Sequence, residues 1–101
     1  MSAIAVVNVF TPKAGQLDAF VAVQKAGLPA LRGKVPGLRG SRFYRALDER
    51  TALLLSVFES AEHFDQFRQS ELFAAHRDKL TPLLERTDPH VYQLVYETGT
   101  P

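Results

Sequence analysis

Apolar residues occupy both parities of AIAVVNVF, residues 3 to 10, and again of TALLLSVF, residues 51 to 58. A strand that is apolar on both sides of its pleat wants burial on both faces, so these two read as central strands of a sheet. After the break TPKAG the period changes. Apolar positions recur at Leu17, Phe20, Val21, Leu28 and Leu31, with Gln24 as a gap. That stripe predicts a helix ending at Gly33 as its C-terminal cap, with its last turns kinked by Pro29. Pro36-Gly37 signals a turn, RGSRFYRAL alternates as a strand with one wet side, and Asp48-Glu49-Arg50 closes a hairpin.

The second half follows the same plan. Ser60 predicts the cap of a helix whose apolar positions are Ala61, Phe64 and Phe67, and Ser70 restarts a helical segment over ELFAAHRDKL. Thr81-Pro82 starts a further short turn, Asp88-Pro89 ends it, and HVYQLVYE, residues 90 to 97, predicts the last strand. VNVF followed by LDAF in the first half resembles LSVF followed by FDQF in the second. The order β-α-β-β-α-β in two related halves predicts an α+β, ferredoxin-like split βαβ fold with an antiparallel sheet in strand order 4-1-3-2. Right-handed crossovers place both helices on one face. The edge position of the second strand suits Arg39, Arg42 and Arg45. Helices on one face leave the other apolar face of the central strands bare, which predicts a homodimer in which the open sheet faces meet.

A chain of 101 residues supports one domain, residues 1 to 101, with a substantial core. The net charge of +1 gives no pull toward nucleic acid, and the basic residues from Arg32 to Arg45 alternate with Gly and Pro as a solvated edge does. The absence of Cys excludes disulfides, thiol nucleophiles and thiolate metal sites and suits a reducing compartment. Apolar runs are too short to span a bilayer, and no basic residue precedes the first one as a signal peptide requires. A cytoplasmic location without a membrane partner is the expectation.

Candidate chemistry centres on a few polar residues among apolar ones. Asn8 interrupts the first strand, and a buried amide without a partner costs about 1–3 kcal/mol, so a neighbour, a water or a ligand must satisfy it. The internal likeness makes Ser56 its counterpart and puts both on one sheet face. His76 shares the apolar stripe of its helix with Leu72, Phe73 and Leu80, as either a packed core histidine or a base that exchanges protons near neutral pH. His63 reads as surface and His90 as turn chemistry beside Pro89. Tyr44 and Tyr92 lie in edge strands, from which they can reach a cavity mouth. Phe64, Phe67 and Phe73 are core residues that would also suit a flat aromatic ligand. The histidine spacing fits no HxH or HExxH metal motif, and GxGxxG, P-loop and GxSxG patterns are absent.

With that order and those residues, the chain resembles the antibiotic biosynthesis monooxygenase family of dimeric α+β barrels. The likeness runs through VVNVFTPKAGQLDAF, VPGLRGSRFYRALDE, LSVFESAEHFDQF, SELFAAH and DPHVYQLVYE. It implies oxidation of a small electron-rich aromatic, such as a quinol, anthrone or related polyketide, by O₂ without metal or flavin. A related branch binds and degrades haem through an Asn on the first strand, a Trp on the second helix and a His shortly after it. Asn8 matches the first and His76 falls close to the third, whereas Phe67 stands at the Trp position and the chain has no Trp. The expected site therefore uses Asn8 and His76 catalytically, with Phe64, Phe67, Phe73, Ser56, Tyr44 and Tyr92 around the substrate and no cofactor or metal. Haem binding, or a non-catalytic small-molecule or stress-response module of the same fold, are the alternatives.

Overall fold

The computed structural model describes residues 3–100. The elements are β1 (Ile4–Pro12), α1 (Leu17–Gly27), β2 (Leu38–Arg45), β3 (Ala52–Phe58), α2 (Ala61–Arg68), α3 (Glu71–Leu80) and β4 (Leu84–Gln93). Single 3₁₀ turns, Pro29–Leu31 and Thr81–Leu83, follow α1 and α3. All pairings are antiparallel and the sheet order is β2-β3-β1-β4, the expected 4-1-3-2 order read from its other edge. The fold is therefore the α+β ferredoxin-like one, with the two doubly apolar strands at its centre.

Serine caps divide the second helical region. The Ser60 hydroxyl accepts from the His63 backbone N–H at 3.2 Å, and Ser70 accepts from that of Phe73 at 3.1 Å. Each satisfies an N–H left orphaned at a helix start. Ser70 also donates to the Phe67 carbonyl at 2.6 Å, tying the end of α2 to the beginning of α3.

The two halves pack alike. Phe10 of β1 meets Phe20 of α1 with ring centroids 4.9 Å apart, and Phe58 of β3 meets Phe67 of α2 at 5.8 Å. Phe20 and Phe58 are almost wholly buried, and burial of such a side chain stabilises the fold by about 1.5–3 kcal/mol. One core cluster gathers around Phe10 and Phe20 with Leu17, Ala52 and Leu80; the other joins Phe58 to Val6, Leu31 and Val35. All strand residues in these clusters face the helices. Val7, Val9, Leu53, Leu55 and Val57 have the opposite parity, are only part-buried and join neither cluster.

Some boundaries differ from expectation. α1 stops at Gly27 instead of running to Gly33, because Pro29 has no N–H to continue the ladder and the chain tightens into a 3₁₀ turn. β4 begins at Leu84, well before His90, and Asp88-Pro89 lies inside it, Pro89 directly across from Asn8. Proline is admissible there because β4 is an edge strand. The strand ends at Gln93, short of Glu97, since Gln93 pairs with Ile4, the first residue of β1, and nothing beyond offers a ladder. His90 is thus a mid-strand residue and not a turn residue. His63 is part-buried and not a free surface group: its ring packs on Gly37 and its Nδ1 lies 2.7 Å from the Ser60 hydroxyl. Gly37, at φ +80, is the left-handed position of the Pro36-Gly37 turn, and a side chain there would collide with that ring.

Candidate functional site

Between the helix-facing side of the sheet and helices α1 to α3 lies a cavity of about 430 Å³. Its wall is mainly apolar, with phenylalanines among leucines. Phe58 packs on Phe64 at 5.3 Å, and Phe67 meets Phe73 at 5.3 Å with an interplanar angle of 74°. The edge-to-face contact sets positive ring edges against negative faces, which holds the phenyls in fixed orientations.

Strand alternation positions the polar groups. Asn8 projects from β1 and Ser56 from β3, and because Val6 pairs with Ser56 and Asn8 with Leu54, both side chains share the helix-facing side. Ser56 is bonded across the strands to Ser41 at 3.0 Å. The Asn8 Oδ1 is buried with no hydrogen-bond partner. Gln24, fully buried on α1, faces the same cavity; its Oε1 accepts from His76 Nε2 at 2.7 Å, while its own Nε2 is buried and unpartnered. A bond in this sense leaves the lone pair of neutral His76 on Nδ1.

His76 is part-buried on α3. Its pKa lies below the ordinary imidazole value, first because burial penalises the charged ring and then because Lys79 adds a nearby positive charge. The ring is therefore neutral at neutral pH and can accept a proton. At the rim, the guanidinium of Arg68 lies 5.2 Å from the centre of the Phe64 ring and pairs with Asp65 at 2.6 Å, and that of Arg77 lies 5.8 Å from Phe73.

The structure brings Asn8, Ser56, Phe64, Phe67, Phe73 and His76 together around this cavity. It does not bring Tyr44 or Tyr92 there. Tyr44 pairs with Leu53 and Tyr92 with Ala5, so both stand on the open face of the sheet, about half exposed. Edge-strand location alone does not fix parity, and the register turns both rings away. Gln24 was not among the expected site residues; its only sequence signal is the polar gap in the stripe of α1. Among the described residues no group of three or more His, Asp or Glu is placed to hold a metal ion, and no helix is long and apolar enough to cross a membrane.

Among curated proteins, none shows significant sequence similarity to this chain. Solved structures do share its fold. Rv0793 from Mycobacterium tuberculosis is 24% identical with a TM-score of 0.82, covering 97% of this chain and 100% of that one. Protein SO0527 from Shewanella oneidensis is 20% identical with a TM-score of 0.80, covering 92% and 91%. SnoaB, a cofactor-independent oxygenase from Streptomyces nogalater, is 19% identical with a TM-score of 0.81, covering 97% of each chain. The sequence pattern of one family matches residues 3–79, and by that match the chain belongs to the antibiotic biosynthesis monooxygenase family.

Proposed function

We propose that the protein is a cytoplasmic, cofactor-independent monooxygenase that oxidises a small electron-rich aromatic with O₂ inside this cavity. The observation that carries the reading is the buried carboxamide oxygen of Asn8, left without a partner in an apolar, phenylalanine-bearing wall together with a neutral histidine. Its similarity in fold to SnoaB, an oxygenase that works without a cofactor, agrees with it.

An electron-rich substrate needs little from the protein beyond deprotonation, exclusion of water and stabilisation of the resulting anion. His76 removes the acidic proton of a quinol or anthrone, and the Asn8 carboxamide turns its NH₂ to the developing oxyanion. Phe64, Phe67 and Phe73 hold the ring in a dry wall. The anion gives one electron to O₂, the substrate radical and superoxide combine to form a C–O bond, and the peroxide takes up a proton. Loss of water by O–O cleavage leaves a carbonyl, so one oxygen atom enters the product and the other departs as water.

Haem ligation is the weaker reading. The His76 Nε2 that would bind iron is engaged by Gln24, and Phe67 supplies no N–H where the haem branch of the family carries Trp. The proposal also includes a homodimer closed through the open sheet face, where Val7, Val9, Leu53, Leu55 and Val57 lack a helical cover.

Oxygen uptake with simple quinols and anthrone tests the assignment. The parent should consume O₂, with about a hundredfold loss in His76→Ala and a clear loss in Asn8→Ala. Equal rates in all three proteins would end it.

A further inference from the structure

Gln24 occupies a position in the stripe of α1 where an apolar side chain would pack at no polar cost. Instead the helix buries a carboxamide completely and satisfies half of it: the oxygen bonds His76, and the NH₂ group is buried without a partner on a residue that lines the cavity. An amide donor left in that state costs about 1–3 kcal/mol. Turning the amide over does not relieve the deficit, since it only moves the orphan from nitrogen to oxygen. The pair lies between α1 and α3, 52 residues apart in sequence, so it is a tertiary feature and not local capping. Across α1 the imidazole meets the uncharged Gln24 and Gly27, and the charge acting on it comes from Lys79 of its own helix.

We propose that Gln24 is a positioning and binding residue of this cavity: its oxygen holds His76 in the Nε2–H tautomer, and its NH₂ group donates to an oxygen acceptor on the ligand. That acceptor is a carbonyl or phenolate oxygen on a flat apolar body, because Gln24 belongs to a cavity wall of phenyl rings and aliphatic side chains. The inference rests on the reading of the cavity as an aromatic-ligand site and adds to it a second contact, distinct from Asn8. A ligand oxygen bonded here is linked through one amide to the imidazole, so binding and the state of the base are coupled.

The test compares parent protein with Gln24→Met, which keeps the length of the side chain but removes both amide atoms, and with Gln24→Leu as a second apolar replacement. The probes are 1-tetralone and tetralin, which share a bicyclic frame and differ in the carbonyl, titrated by NMR. The parent should bind tetralone in preference to tetralin, and either variant should lose about threefold to tenfold of that preference while binding tetralin unchanged. In ¹⁵N spectra of the histidine-labelled protein, His76 should show the Nε2–H tautomer in the parent and lose that bias in the variants. A parent without preference for tetralone, an affinity ratio unaltered by the substitutions, or an unaltered His76 tautomer would each overturn the proposal. Oxygen uptake separates it from the oxygenase reading. A Gln24-dependent preference without turnover of quinols or anthrone sustains this proposal and removes that one, and turnover with an unaltered ratio does the reverse.

Discussion

Gly27, the last residue of α1, lies so close to His76 that a Cβ at residue 27 would stand 2.6 Å from Cε1 and 2.8 Å from Nδ1 of the ring. The imidazole thus has its place only because residue 27 has no side chain. Gly27→Ala should shift the ring and break its bond to Gln24. Alanine improves helix propensity by up to about 1 kcal/mol, whereas overpacking costs about 1–3 kcal/mol, so the net change should be destabilising. Urea denaturation with His76 NMR checks it; a more stable variant with an unmoved His76 signal would contradict the contact.

The proton affinity of His76 gives a pH signature. Because burial, and after it Lys79, hold the imidazole below its ordinary value, the folded chain binds this proton less readily than the unfolded chain. Well above pH ~6.5 both states are neutral and the group contributes no pH dependence. As pH falls from there toward the lowered value, folding stability should decline, and His76→Leu should remove that part of the decline. Urea midpoints at pH 7.5 and pH 5 measure the difference, and equal declines in both proteins would refute it. In the proposed reaction the acid limb of the rate profile should likewise lie below pH 6.5.

Leu55→Glu places a carboxylate in the middle of the open face, opposite Val7 and Arg42 in the ladder. The parent should scatter light as a dimer at micromolar concentration and the variant as a monomer. A monomeric parent would remove the proposed association.

Phe58→Ala should cost about 3–5 kcal/mol. The residue is 2% exposed and contacts both Phe64 and Phe67, so truncation opens a void between β3 and α2. Denaturant unfolding measures it, and a loss under 1 kcal/mol would mean that the site collapses around the gap.

Features set by local chemistry were legible in the sequence. Ser60 and Ser70 marked their helices because a cap needs only the next few residues, and the doubly apolar runs located the centre of the sheet because burial on both faces leaves no other pattern. The shared face of Asn8 and Ser56 followed from the likeness between halves. Readings that depend on distant partners were harder. Asp88-Pro89 suggested a break because its admissibility depends on β4 lying at an edge. Tyr44 and Tyr92, expected at the cavity mouth, lie on the open face, because parity has no meaning until the register is known. Gln24 was visible only as a gap, since its significance comes from His76 on another helix.

Pro89 has a consequence for how copies of this chain can assemble. At an edge, the position open to proline is one whose nitrogen points away from its neighbour, so β4 offers an incoming strand one hydrogen-bond donor fewer. The opposite rim bears the exposed cations Arg39 and Arg42, which repel a like strand. Growth by lateral addition is thereby discouraged on both flanks, and in the proposed homodimer a single encounter would use up the remaining oily surface, making association self-limiting.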